Sequence, residues 1–151
     1  MIYLDSAAVV KLVHAEPESS ALRDWLDERA ETGWISSVHT EIESFRALAR
    51  YAPDAVSRLP AVLDLIDLIP LDPPIRILAQ TARPATVRSL DAIHLGTALH
   101  ARTALASFVT TTSGSSTRLL RPDSPPKHPS SPAPPAAPSL AVPVCTCQCA
   151  S

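Results

Sequence analysis

Two acidic residues sit where apolar segments begin or end, and neither position rewards a carboxylate with a packing role. Asp5 closes the apolar run Met1-Ile2-Tyr3-Leu4. Asp91 lies in the first turn of the apolar helical segment Leu90-Asp91-Ala92-Ile93-His94-Leu95-Gly96-Thr97-Ala98. A carboxylate taken out of water is costly unless something compensates its charge, and clustered carboxylates repel unless a cation sits among them. Two acids at the ends of buried elements therefore suggest a site that collects cations. Glu41 and Glu43 are the candidates for a third acid. They lie two residues apart on one predicted helix and so face different sides, and spacing alone does not choose between them.

Each residue also has a plainer reading. Asp91 would complement a helix dipole, and Asp5 would serve as a strand-end turn residue. Glu43 would pair on the helix surface with Arg46 or Arg50. His94, on an apolar helix, reads as a packing residue or a support for a ligand rather than a ligand itself. His14 and His39 have no partner that the sequence identifies.

The elements that position these residues follow from hydrophobic periodicity. Ile2–Asp5 reads as a short buried strand, with Ser6 as cap of the helix that follows through Ala7, Val10, Leu12 and Val13. A second helix is predicted over Ser19–Glu28, a strand over Trp34–Ser37, and helices over Thr40–Tyr51 and Ala55–Ile66. A strand follows over Leu68–Leu71, where Pro70 suggests an edge or a strand end. Pro74–Ala82 reads as helix, Leu90–Ala101 as a helix capped by Ser89, and Ala106–Thr110 as the last strand. Strands alternating with helices predict an α/β domain with a mainly parallel sheet. Sites in such sheets form at the carboxyl ends of strands, where Asp5 and Thr110 stand.

The chain has 151 residues, 46% of them hydrophobic, and a formal net charge of −2. That is enough for one domain with a core. There is no Lys/Arg excess of the kind that holds nucleic acid by counterion release, so a nucleic-acid enzyme of this composition needs a metal to supply positive charge. No secretory leader and no apolar run of about 18 residues is visible, so the expected location is cytoplasmic. Nine of the sixteen prolines lie between Arg121 and Ser151. The chain thus divides into a folded part, 1–120, and a Pro/Ser/Ala-rich tail, 121–151, expected to be disordered. Cys145, Cys147 and Cys149 fall in that tail; their C-x-C-x-C spacing lacks a fourth zinc ligand and a folded frame.

Three motifs in order make the chain resemble the PIN-domain nucleases, in particular the VapC-type toxins of bacterial toxin–antitoxin pairs. They are Leu4-Asp5-Ser6, Glu43-Ser44-Phe45-Arg46-Ala47 and Leu90-Asp91-Ala92-Ile93-His94-Leu95-Gly96-Thr97-Ala98. The resemblance implies a PIN-like three-layer α/β/α fold and a Mg²⁺- or Mn²⁺-dependent ribonuclease. Asp5, Glu43 and Asp91 would be its catalytic, metal-binding acids, with Ser6 and Thr110 supporting them. It further implies a cognate antitoxin protein, an RNA substrate, a homodimer and no membrane. The chemistry is coherent: Mg²⁺ takes oxygen ligands, and a bound metal activates water and polarises a phosphodiester.

The chain departs from the family after Val109. The family's last parallel strand runs Val-Thr-Tyr-Asp, its Asp a fourth acid, followed by a closing helix and strand. Here Phe108-Val109-Thr110-Thr111-Thr112 places Thr112 where that acid belongs, and the proline-rich tail replaces the rest. GC-rich codons compatible with Thr111–Leu119, read with one T added ahead of them, spell Tyr-Asp-Gln-Arg-Leu-Val-Asp-Ala-Ala, which is the family's pattern. Residues 111–151 accordingly read as a frameshifted tail. Two functions follow: an endoribonuclease toxin, or a catalytically impaired PIN-fold protein that only binds its antitoxin or a sister subunit. An unrelated α/β module with incidental acids is the third reading.

Overall fold

The computed structural model of the chain describes residues 1–111 and 117–120. At its centre is β1 (Ile2–Leu4), whose three residues are all buried. A strand covered on both faces has no reason to alternate polar and apolar residues, and Ile-Tyr-Leu fits that role. The sheet order is β3-β2-β1-β4-β5, with β2 Trp34–Ser37, β3 Ile66–Ile69, β4 Ser107–Thr111 and β5 Thr117–Leu120. β1 to β4 are parallel, with Tyr3 level with Ile35 on one side and Phe108 on the other.

Parallel neighbours need crossover connections, and helices supply them: α1 Ser6–Val13, α2 Ser19–Asp27, α3 His39–Tyr51, α4 Leu59–Leu63, α5 Pro73–Gln80 and α6 Ser89–His100. One face of the sheet contributes Ile2, Leu4, Ile66 and Val109 to a core with Ala8, Val9, Leu22, Leu26, Leu48 and Leu59. On the other face Tyr3, Ile35 and Phe108 pack with Ala98 of α6. The rings of Tyr3 and Phe108 stack with centroids 4.9 Å apart. This is the three-layer α/β/α architecture expected from the sequence. No helix among the described residues is long and apolar enough to cross a membrane.

Several local expectations are corrected. Asp5, not Ser6, caps α1: its backbone is extended and its carboxylate accepts from the Ala8 amide. Ser89 is the first residue of α6, which follows Arg88 without a side-chain cap. The single helix expected over Ala55–Ile66 is instead a 3₁₀ segment, Pro53–Arg58, followed by α4. Pro60 sits at the start of α4, where its missing amide hydrogen costs nothing. The next strand begins at Ile66 rather than Leu68, and Pro70 lies just past its end. β3 is an edge strand, as Pro70 suggested. β4 is not left with a bare edge, since β5 pairs with it antiparallel. The expected tail, 121–151, and Thr112 lie outside the described residues.

Gly96 marks the closest approach of α5 and α6. A Cβ there would lie 2.9 Å from the Ala79 amide nitrogen and 3.0 Å from the Ile75 carbonyl oxygen. Both are backbone atoms that move only with the whole helix. Gly96→Ala would gain about 1 kcal/mol of helix propensity but incur overpacking of about 1–3 kcal/mol. The expected net result in urea unfolding is a less stable protein; a stabilised variant would show that α5 yields.

Candidate active site

The carboxyl ends of β1 and β4 and the starts of α1 and α3 meet at one corner of the sheet. Asp5 follows β1, its amide bonded to the Val109 carbonyl 3.1 Å away. Its Oδ1 accepts from the Ala8 amide at 2.8 Å, and its Oδ2 accepts from the Thr110 hydroxyl at 2.5 Å. The carboxylate is therefore held by one helix and one strand at once. Thr110 occupies this place because β4 runs parallel to β1 with Leu4 level with Val109.

Glu43 reaches the same corner from α3. It is partly buried, whereas Glu41 is exposed, and this separates the two candidates that spacing left open. Glu43 Oε2 lies 2.7 Å from His94 Nε2 on α6. Its basic partner among the described residues is His94, not Arg46 or Arg50. The backbone carbonyl of Ser6 accepts from the Ser44 hydroxyl at 3.4 Å, which ties α3 to the start of α1. Burial opposes ionisation of Glu43, but His94, the Ser6 hydroxyl and His39 outweigh it and hold the carboxyl below its ordinary range.

That shift has a pH consequence. A depressed folded-state pKa stabilises the fold fully above the ordinary glutamate value, and the gain disappears as pH falls through the lowered value. In urea unfolding with chelator present, the advantage of the native chain over Glu43→Gln should therefore shrink as the solution is acidified from neutral pH. A pH-independent difference would contradict the assignment.

Asp91 is exposed in the first turn of α6 and makes no hydrogen bond or ion pair among the described residues. It stands three residues before His94, hence on the same face of the helix one turn earlier. Among the described residues no three His, Cys, Asp or Glu side chains are gathered closely enough to hold a metal ion. The structure thus joins Asp5, Ser6, Thr110, Glu43 and His94 into one bonded corner and leaves Asp91 unattached. In kind the donors fit a hard cation, being carboxylate oxygens.

Two histidines line this corner: His94, read from the sequence as a packing residue or a support for a ligand, and His39, which the sequence left without a partner. His94 is 5% exposed and bonded through both ring nitrogens, Nδ1 lying 2.8 Å from the Tyr3 hydroxyl. The available signal was its burial, because a buried polar ring must find partners. His39 sits one turn before Glu43, and its Nδ1 is buried without a hydrogen-bond partner. No sequence signal marked it.

The mainly parallel sheet with Asp5 at the carboxyl end of its central strand, and Glu43 and Asp91 on flanking helices, agrees with the match of a PIN domain profile to residues 2–108. The chain belongs to the PIN-domain family. It is 47% identical over 98 residues to Ribonuclease VapC35 of Mycobacterium tuberculosis, covering 65% of this chain and 73% of that one. It is 42% identical over 113 residues to Ribonuclease VapC47 of the same organism, covering 73% and 83%. Among solved structures it is similar to the Mycobacterium tuberculosis toxin VapC20, described as cleaving the sarcin-ricin loop. The TM-score is 0.58 at 10% identity, over 72% of this chain and 87% of that one, a likeness of fold.

Proposed function

We propose that this chain is a metal-dependent endoribonuclease toxin of VapC type, cleaving RNA phosphodiesters and neutralised by a cognate antitoxin protein. The observation that carries this reading is the identity of 47% and 42% to two ribonucleases of that type, together with a PIN-domain match over residues 2–108, which include Asp5, Glu43 and Asp91. In this reading the protein is cytoplasmic and acts as a homodimer. Asp5, Glu43 and Asp91 would hold Mg²⁺ or Mn²⁺. Bound there, the ion would lower the pKa of water and offset charge developing on the phosphodiester.

The protein's own contribution is preorganisation. Thr110 and the Ala8 amide fix both oxygens of Asp5, and His94 fixes Glu43. Glu43 is ionised at neutral pH, and the lowering of its pKa extends that state to more acidic solution. Asp91, free to turn, would complete the ligand set from α6.

The second reading, an impaired PIN-fold protein that binds only its antitoxin or a sister subunit, is favoured by one observation. Thr112 replaces the family's fourth acid, and a hydroxyl is a poorer ligand than a carboxylate for a hard cation. A frameshifted tail accounts for that replacement. The test is RNA cleavage by this chain and by a version carrying the alternate-frame tail, each with Mg²⁺ and with chelator. Chelator-sensitive cleavage that is weak in the first and strong in the second is expected. Equal, robust cleavage by both would show that the fourth acid is dispensable and remove the case for the frameshift. Cleavage by neither would leave the binding-only reading.

A further inference from the structure

The strongest feature outside the three acids is a chain of hydrogen bonds that runs from the sheet interior to Glu43. Tyr3 is wholly buried in the central strand, and its hydroxyl lies 2.8 Å from His94 Nδ1. The opposite ring nitrogen of His94 lies 2.7 Å from Glu43 Oε2. The three residues come from β1, α6 and α3, so the chain ties together the three elements that carry Asp5, Asp91 and Glu43.

Its direction follows from chemistry. An ionised carboxylate only accepts, so Nε2 must carry the hydrogen that meets Glu43. A tyrosine hydroxyl carries its proton at neutral pH and can donate to Nδ1. The Tyr3 ring is itself immobilised by stacking on Phe108, which gives the chain a rigid anchor.

We propose that Tyr3 and His94 are positioning residues that lock the imidazole with its hydrogen on Nε2 and thereby hold the Glu43 carboxylate in the orientation that receives the cation. This rests on Glu43 being a ligand, as proposed above. Partners of this kind orient a ligand and fix its donor geometry, and their loss costs about 10–100-fold in metal affinity.

The experiment uses the full chain and Mn²⁺ as probe, read by electron paramagnetic resonance. Alongside it, nitrogen NMR of the metal-free protein reports the His94 tautomer. The variants are His94→Leu, His94→Gln, Tyr3→Phe and Glu43→Gln. His94→Leu should weaken Mn²⁺ binding about 10–100-fold. His94→Gln, whose amide can still donate toward Glu43, should recover most of that loss. Tyr3→Phe keeps the stacked ring, so it should fold, weaken Mn²⁺ binding by a smaller factor and blur the Nε2–H tautomer. Should His94→Leu fail to fold, Tyr3→Phe and the His94 tautomer decide. The proposal is overturned if Tyr3→Phe, or a folded His94→Leu, binds Mn²⁺ like the native chain while Glu43→Gln does not. It is also overturned if His94→Gln binds as poorly as His94→Leu, or if both ring nitrogens carry hydrogen. Unchanged Mn²⁺ binding by Glu43→Gln would remove the ligand assignment itself, and this proposal with it.

Discussion

Asp5→Asn should abolish metal-dependent RNA cleavage while leaving a folded protein. The two effects separate because Asp5 does two jobs. As cap of α1 it accepts from the Ala8 amide, and asparagine caps about as well as aspartate. Losing the charge at the helix N-terminus costs only about 0.3–1 kcal/mol, a small change in urea unfolding. As a proposed cation ligand its charge is the point. Loss of a mere supporting partner already lowers metal affinity about 10–100-fold, so removing a charged ligand should lower cleavage by at least about 100-fold. The measurement is made on this chain and on the alternate-frame version, so that low starting activity does not hide the effect. Cleavage that survives in Asp5→Asn would exclude the metal assignment.

Asp91→Asn should have a comparable effect on cleavage and almost none on stability. Asp91 is exposed and makes no hydrogen bond or ion pair among the described residues, so the fold loses only its helix-dipole interaction, about 0.3–1 kcal/mol. A residue that contributes little to folding but is required for cleavage has a functional role by elimination. Glu41→Gln is the matched control: it removes another exposed carboxylate, and RNA cleavage should be unchanged. If Asp91→Asn and Glu41→Gln behave alike, Asp91 is only a helix-dipole residue.

The fold was largely legible in the sequence because its signals are local. Ile2-Tyr3-Leu4 and Trp34-Ile35 are short apolar runs between polar breaks, and α3 and α6 show helical periodicity with their ends placed to within one or two residues. The boundary between α4 and β3 was not legible. Leu63-Asp64-Leu65-Ile66-Asp67-Leu68 satisfies helix and strand spacing alike, and only pairing with β2 decides that Ile66 begins a strand. The caps failed for a related reason: Asp5 and Ser6 are both good caps, and tertiary anchoring to Val109 and Thr110 chose the first.

At the site, spacing could nominate acids but could not choose between Glu41 and Glu43, since both lie on α3; the motif beginning at Glu43 made the choice. Their burial separates them. The histidine link was invisible because it depends on α3 and α6 approaching from 51 residues apart. The likeness to the family supplied the identity of the three acids, and geometry supplied what holds two of them in place.

Asp5, Glu43 and Asp91 are proposed to bind one cation together, although among the described residues no three such groups are gathered for it. Crystals of the chain grown with Mn²⁺, with the ion located by its anomalous scattering, test this most directly. One ion is expected at the corner where β1 and β4 end, with oxygens of Asp5 and Asp91 in its coordination shell. Carboxylate–ion distances should be on the order of 2.0–2.2 Å, with Asp91 turned inward and Glu43 bound directly or through water. An ion elsewhere, or an Mn²⁺-soaked crystal with no ion between Asp5 and Asp91, would contradict it.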